Sequence, residues 1–377
     1  MESDDSKRKS TPKTLYAYRI KSATNSKYWR WINRKLRELL FSLLLIGSIL
    51  TFCYLATLSF AGSTTTVLLP IQPLLSCNQK GSPIPLNSTD FGETVNFKIT
   101  FSNWNLEYKM NRPKKDVCAG NITTLVIVVS KPDNFYARER IRQTWMYDES
   151  NPPGYHSLFI IGGRKHPQLN DRIKLEQNTY GDIIRYQAND TYENLHVKTH
   201  AAFNWQQTFC PNAKYLLKTD DDTVVYLKRL DHFIQKEFEP VRKKQPLTLF
   251  CNKWTKTKPI RDKWSHYYVP ESTFPDKYYP TFCQGCSYLS TTAAITHLLN
   301  KTQNVPVLHL EDVLYTGLVV KNATEVKHYA AGAFGVKQRR TCDQDGVPYK
   351  SVYIEIPSWK LDWDFHKLKT LQCPRFG

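Results

Sequence analysis

The sequence predicts an α/β fold: a mostly parallel central sheet with helices on both faces. Two observations carry that prediction. From Thr124 onward, short apolar runs rich in β-branched residues alternate with segments of helical periodicity. That alternation is the pattern of strand–helix–strand crossover units. The second observation is the acidic triplet Asp220-Asp221-Asp222, directly after the apolar run at 215–217. Open α/β sheets bind ligands at the carboxyl ends of their strands, where this triplet would lie.

The elements follow in order. Residues 124–130 form an unbroken apolar, β-branched run, which reads as a buried strand. Residues 137–145 read as a helix, with Ile141 and Trp145 four apart on one face. A second strand at 157–161 ends at Gly162-Gly163, and a third covers 182–186. Residues 194–209 are helical, with Leu195, Ala202, Phe203 and Trp205 mainly on one side. The fourth strand, 215–217, runs into the acid triplet. A helix at 227–238 and a strand at 246–250 complete the regular part. The C-terminal third is less regular and rich in Tyr, Trp and Pro. Its sharpest local features are 279–285 and 308–317, the latter carrying Glu311-Asp312 between apolar residues.

The part before this domain has a different texture. Residues 39–61 contain no charged side chain and are mostly apolar, and about 20 such residues span a bilayer. Residues 1–37 carry eleven Lys/Arg against three acidic residues, which favours a cytosolic amino end. The expected organisation is a basic cytoplasmic tail (1–38), a transmembrane signal anchor (39–61), a lumenal stem (62–117) and a catalytic domain (118–377). A cleaved signal peptide ending near Ala61-Gly62 is the alternative. The stem reading rests on a Ser/Thr run at 63–66 and on Pro70, Pro73, Pro83 and Pro85. Glycosylation sequons at Asn87, Asn121, Asn189, Asn300 and Asn322 all follow the apolar run. Apart from Cys53, the chain has eight cysteines, an even number that suits disulfides in an oxidising compartment. A zinc site at Cys283-Gln-Gly-Cys286 is the competing reading, although no second pair completes it. The net charge of +18 falls to +10 once residues 1–37 are set aside. No Lys/Arg block is interleaved with aromatics, so nucleic acid is not the expected partner. Anionic ligands such as nucleotide-sugar diphosphates or acidic glycans are.

Three adjacent carboxylates between apolar runs need cationic compensation, and a hard divalent ion supplies it with oxygen ligands. A solvated acidic turn is the plainer reading of the same triplet. Glu311-Asp312 taken alone is a helix N-terminus feature. A second carboxylate site becomes informative beside the first, since metal-assisted transfer needs a separate base.

The constellation resembles the β1,3-galactosyltransferase family, with its fringe-like and β1,3-N-acetylglucosaminyltransferase relatives, over about residues 121–320. The strand at 125–130, followed by Arg138-Glu-Arg-Ile141-Arg142-Gln-Thr144-Trp145, is similar to its first strand and RxxIRxTW helix. Asp190-Thr-Tyr192-Glu-Asn194-Leu195-His-Val-Lys198-Thr199 is similar to its DxYxNLxxKT segment, and Lys218-Thr-Asp220-Asp221-Asp222 to its KxDDD motif. Pro259-Ile-Arg261-Asp262, Tyr279-Pro280 with Gly285, and Glu311-Asp312-Val313 follow in the family's order.

The resemblance implies a GT-A fold, type II Golgi topology, a UDP-sugar donor, Mn²⁺ and a glycan acceptor on a glycolipid or glycoprotein. It implies Asp222 as metal ligand, with Asp220 near the ribose or uracil or sharing the metal, and Asp221 beside the nucleotide. Arg138 and Arg142 are expected to face the diphosphate, salt bridges being the alternative. Asp312 would be the general base, and Glu311, Gly285 and Tyr288 substrate-side residues. The expected reaction is an inverting displacement at the anomeric carbon.

The sequence departs from the family pattern in several places. Gly-x-Gly-Tyr stands here as Gly285-Cys286-Ser287-Tyr288, a Lys-Trp pair corresponds to His266-Tyr267, and Glu-Asp-Val-Tyr-x-Gly is lengthened by Leu314. The cysteine usual after that glycine is missing. The metal-completing histidine has no clear match; His328 is the candidate, then His366. Other donor specificities, N-acetylglucosamine or N-acetylgalactosamine, share these motifs. A catalytically inactive glycan-binding homologue or a metal-dependent phosphohydrolase are the rival classes. The first need not keep both Asp222 and Asp312, and the second leaves the remaining motifs unexplained.

Overall fold

The computed structural model describes residues 93–111, 118–164, 166–334 and 342–373. They lie in a compact unit that spans Ile84–Gly377. Its strands, in chain order, are β1 (Thr94–Phe101), β2 (Trp104–Asn111), β3 (Thr124–Val129), β4 (Tyr155–Gly163), β5 (Ile183–Asn189), β6 (Tyr215–Asp220), β7 (Val224–Val225), β8 (Thr248–Trp254), β9 (Phe282–Thr291), β10 (Lys327–Ala330) and β11 (Val352–Tyr353). Nine of them form one sheet in the order β1-β2-β5-β4-β3-β6-β9-β8-β10, and β7 pairs with β11. Strands β5, β4, β3 and β6 are mutually parallel. Only β2 and β9 run against the rest of the sheet. The predicted mixed α/β architecture with a largely parallel sheet is therefore present.

Strand β3 shows why the apolar runs become central strands. All six of its residues are buried. Leu125, Ile127 and Val129 enter one hydrophobic core, and Val126 and Val128 enter the other. A strand that alternates between two cores must be apolar on both faces. Helices supply both covers. On one side lie α1 (Phe135–Ile141, continued by a π-helical turn, Arg142–Met146), α2 (Pro167–Tyr180), α4 (Leu227–Phe233, continued through Ile234–Phe238 and Glu239–Lys244) and α7 (Leu361–Lys369). On the other lie α3 (Leu195–Phe209), α5 (Thr292–Lys301) and α6 (Glu311–Val313, continued through Leu314–Val319 and Val320–Asn322).

Three expectations are corrected. Residues 94–111 are not loose stem: β1 and β2 form a hairpin whose Ile99, Phe101, Tyr108 and Met110 are buried in the core. The Tyr108 hydroxyl meets His200 Nδ1 on α3 at 2.9 Å. Strand β9 is inserted antiparallel between β6 and β8 within the supposedly irregular C-terminal third. The zinc reading fails because Cys283 is bonded to Cys251; among the described residues, Cys118–Cys210 and Cys342–Cys373 are the other disulfides, and Cys286 is free. Asn121, Asn189, Asn300 and Asn322 are exposed. Asn87 and the apolar run at 39–61 lie outside the described residues. Among the described residues, no helix is long and apolar enough to cross a membrane.

Candidate active site

A cavity of about 1580 Å³ opens beside the carboxyl ends of β3, β4, β5 and β6. Ser130, Gly163, Asp190, Tyr192 and the whole acid triplet line it. The triplet begins at the last residue of β6, so the parallel register of β3 and β6, with Val129 opposite Asp220, brings Ser130 beside it.

The three carboxylates have three different environments. Asp220 Oδ1 accepts from Lys218 Nζ at 2.7 Å. Burial raises the Asp220 pKa to about 7 against the lowering pull of Lys218, with the charges of Asp222 and Glu311 adding to the rise. Asp221 turns away from the others: its Oδ2 accepts from Ser130 Oγ at 2.7 Å and from Asn134 Nδ2 at 2.8 Å. Asp222 Oδ1 receives a long contact from Thr223 Oγ1, 3.4 Å, and its carboxylate is also bonded by its own backbone amide. Burial, then the neighbouring Asp221 charge, raises its pKa. An exposed carboxylate on the cavity wall with so little cationic compensation is a good fit for a hard cation with oxygen ligands, such as Mn²⁺.

Behind the triplet lies a buried ion array. Lys218 Nζ reaches Asp220 Oδ1, Glu311 Oε1 at 2.8 Å and the Gly285 carbonyl at 2.6 Å. Burial alone would lower the Lys218 pKa, but Asp220 and Glu311 hold it above its ordinary value. Glu311 is 3% exposed, and its second oxygen lies 3.5 Å from the Tyr288 hydroxyl. Glu311 and Tyr288 thus sit within the core, as counter-ion and packing partner, and not on the expected substrate side. Gly285 faces Asp312: a Cβ there would lie 3.1 Å from both Cβ and Oδ2 of that residue. Burial, then the Glu311 charge, holds the Asp312 carboxyl well above the ordinary carboxylate range. Tyr267 feels the charge of both acidic sites: burial, then Glu355, Asp312 and Asp222, push its phenol up.

The DxYxNLxxK segment acts as a clamp. Lys198 Nζ pairs with Asp190 Oδ1 at 2.8 Å and donates to the Ser130 carbonyl at 2.7 Å. Asp190 Oδ2 accepts from the Gly162 amide at 2.7 Å. A side chain at Gly162 would collide with Tyr186 and Asp190 at 2.7–2.8 Å, so glycine is required at that end of β4.

The expected arginine contacts are not made. Arg138 is fully buried, and its five N–H donors are taken by Glu176 (Nε and Nη2), Ser130, and the carbonyls of Lys131 and Pro132. Arg142 makes a bidentate pair with Asp182 at 2.8 Å, meets Glu176 and stacks over Tyr180. Both therefore pin α1 to α2 and neither lines the cavity. The cations that do line it include Lys131 and Arg164, both exposed. His328 is likewise not with the triplet. It lies on β10 opposite Leu249 of β8, and its Nε2 is 2.5 Å from the Thr316 carbonyl. His366 is on α7. The histidine that lines the cavity without a ring-nitrogen hydrogen bond is His266, edge-on to Tyr192. Among the described residues, the one His/Asp group spaced for a metal is His232, Asp343 and Asp345, and none of the three lines the cavity.

The residues the sequence reading missed are Lys218 as a cross-link, Arg164, and the rim made by Tyr192 with His266 and His309. Lys218 was legible as the basic residue of KxDDD. The rim was not, because its members are 74 and 117 residues away from Tyr192 along the chain. Cys286 also lies beside the triplet; burial, then the Asp220 charge, pushes its thiol up to about 12.

A family model described as Galactosyltransferase matches residues 136–331, more than half of the chain. The chain belongs to the galactosyltransferase family. It is 38% identical over 219 residues to beta-1,3-galactosyltransferase 1 of Homo sapiens, a match covering 57% of this chain and 64% of that one. It is 32% identical over 222 residues to beta-1,3-galactosyltransferase 2 of Mus musculus, covering 58% and 51%. It is 29% identical over 231 residues to the acetylgalactosaminyl-O-glycosyl-glycoprotein beta-1,3-N-acetylglucosaminyltransferase of Mus musculus, covering 58% of each. The matched region thus spans less than two thirds of these relatives' lengths. Among solved structures, S. aureus TarS residues 1–349 overlap at a TM-score of 0.31 and 12% identity, over 66% of this chain and 64% of that one. Within the galactosyltransferase match lie the acid triplet, Gly285 and Glu311-Asp312.

Proposed function

We propose that this galactosyltransferase-family chain is an inverting β1,3-glycosyltransferase that moves a hexose, galactose in preference, from a UDP-sugar to a glycan hydroxyl. The observation that carries this is Asp312. It is a carboxylate of raised basicity, linked through Glu311 and Lys218 to an acid triplet bordering a cavity large enough for a nucleotide sugar. Asp312 takes the proton from the acceptor hydroxyl as its oxygen attacks the anomeric carbon; the bond to the UDP oxygen breaks on the opposite face. Gly285, lacking a side chain, leaves room for that carboxylate. Asp222, with the second oxygen of Asp220 nearby, would hold the divalent ion. When bound, such an ion neutralises charge on the departing diphosphate. Lys131 and Arg164 take the diphosphate-facing role first expected of Arg138 and Arg142, with their chains exposed on the cavity wall.

The test is UDP release by the purified protein with UDP-galactose, UDP-N-acetylglucosamine or UDP-N-acetylgalactosamine, with and without Mn²⁺ and glycan acceptors. Acceptor-dependent release from UDP-galactose supports the reading, and release from either amino sugar moves it to the second donor class. Absence of UDP-sugar binding with Mn²⁺ present overturns it.

The same proposal puts residues 1–38 in the cytosol, 39–61 across a Golgi membrane and the remainder in the lumen, glycosylated at its sequons. The stem then ends before Thr94, where the hairpin begins. Protease outside sealed vesicles should trim only the first few dozen residues; loss of the folded unit would refute this topology.

A further inference from the structure

A second cavity, of about 700 Å³, lies at the opposite end of the sheet from the acid triplet. The amino ends of β4 and β5 line it, together with residues 147–152 after α1 and the last turns of α2. Its volume falls within the range of about 300–1,000 Å³ usual for small-ligand sites. The proposed transfer reaction leaves it unused. The charged groups around it are all engaged. Two acids and two bases line the cavity, Asp148 and Asp182 against Lys174 and Arg185. Asp148 is paired with Lys369, and Asp182 with Arg142. Arg185 donates to Asn170 Oδ1 at 3.0 Å, and Lys174 has its own partner. Burial lowers the His156 pKa, which keeps that ring neutral.

What remains available to a ligand is uncharged. The His156 ring, the Ser157 hydroxyl and the Asn178 amide line the cavity and make no side-chain hydrogen bond among the described residues. Gln177 uses only its carbonyl oxygen, which accepts from the Ile183 amide at 2.8 Å. Two aromatic rings complete the lining. Tyr147 and Tyr180 are 54% and 42% exposed. Both are held in place: the Tyr147 hydroxyl donates to Asp182 at 2.8 Å and the Tyr180 hydroxyl to Glu139 at 2.7 Å. Arg142 covers one face of Tyr180 at 3.9 Å and leaves the other open. Rings fixed in advance lose little freedom when a ligand packs on them.

We propose that this cavity is a second glycan-binding site, which takes an uncharged oligosaccharide. A pyranose has an apolar C–H face and an edge of hydroxyls. Fixed tyrosine rings suit the face, and neutral donors and acceptors suit the edge. A nucleotide or an acidic glycan would bring its charge to a place where each cation already has a partner. The site requires neither sugar donor nor metal, so it stands or falls apart from the transfer reaction.

The experiment is saturation-transfer NMR on the full chain, in a detergent without a sugar headgroup and without Mn²⁺ or UDP-sugar. The probes are lactose and chitobiose, two neutral disaccharides, with UDP as the charged control. At least one disaccharide should give a signal. Tyr147→Ala should weaken its binding by about tenfold, while Tyr147→Phe, which keeps the ring, should retain it. Asp182 keeps its bidentate Arg142 pair in both variants, so no buried charge is left alone. His156→Ala, which removes one hydrogen bond, should weaken binding by about two- to tenfold. Circular dichroism confirms that each variant is folded, and either alanine variant is sufficient for the test. Equal disaccharide affinity in the wild type and the folded alanine variants overturns the inference. So does the absence of a signal from both disaccharides, or a UDP signal that the same variants weaken.

Discussion

Replacing Lys218 by methionine keeps the unbranched apolar stem, ending one atom short of the ammonium, and removes its charge. Glu311, 3% exposed, then loses its 2.8 Å partner and retains only the distant Tyr288 hydroxyl. Asp220 loses its 2.7 Å donor and the Gly285 carbonyl its 2.6 Å one. Breaking a buried pair from one side costs about 3–5 kcal/mol, because the remaining charge has no water to return to. Glu311→Gln is milder, about 1–3 kcal/mol, since Lys218 still has Asp220 and the amide fills the same space. The informative quantity is the double variant. Once Glu311 is neutral, much of the penalty of losing Lys218 disappears, so the two effects should fall short of additivity by about 1–3 kcal/mol. Denaturant unfolding of the unit beginning at Ile84, under non-reducing conditions, measures all four corners of the cycle. Additivity within about 0.5 kcal/mol, or a Lys218→Met cost below about 1 kcal/mol, would refute the reasoning.

The remaining predictions concern the site itself. Asp312→Asn should lower kcat by about 10²–10⁴ while UDP binding, measured by calorimetry, stays nearly intact. A dead Glu311→Gln with a near-normal Asp312→Asn would transfer the base role. The base must be deprotonated, and its pKa is shifted up, so kcat should fall with decreasing pH well before the ordinary aspartate pKa of about 3.9. A profile flat down to that value would count against Asp312. Asp222→Ala should weaken Mn²⁺ and UDP binding together; loss of turnover with both affinities unchanged would remove it from the metal site. Gly285→Ala puts a methyl 3.1 Å from Asp312 Cβ and Oδ2, which requires a shift of a few tenths of an ångström. It should cost roughly tenfold in kcat with unchanged UDP affinity, given that about 1 Å of misplacement costs 10²-fold.

The central strands were legible because burial on both faces leaves mostly apolar residues, as in residues 125–129 of β3 and 215–217 of β6. The β1–β2 hairpin was not, although its buried residues do alternate. Its exposed positions carry Lys98, Glu107 and Lys109, and it follows a proline-rich segment, so the composition of the flank outweighed the period. Strand β9 was obscured by Cys283, Gly285, Cys286 and Ser287, of which Cys283 serves a disulfide and Gly285 makes room for Asp312. The acid triplet and Glu311-Asp312 stood out as carboxylates between apolar runs, and the resemblance to the family's motifs pointed to Asp222 and Asp312 among them. The fate of Arg138 and Arg142 was not visible, because their partners Glu176 and Asp182 come from a helix and strand entry about 40 residues later.

The insertion of β9 between two parallel-running neighbours also bears on how errors in folding are rejected. Its alignment with β6 sets Lys218 opposite Tyr288 and brings the Gly285 carbonyl under the ammonium. A slip by one residue would turn Tyr288 to the other face of the sheet. Apolar side chains tolerate such slips at modest cost, since one hydrophobic contact substitutes for another. A buried ammonium does not: out of alignment it is left charged and dry. The ion array therefore makes misaligned chains distinctly unstable, so that a molecule stable enough to persist is also one in which Gly285 and the Glu311-Asp312 pair have come together.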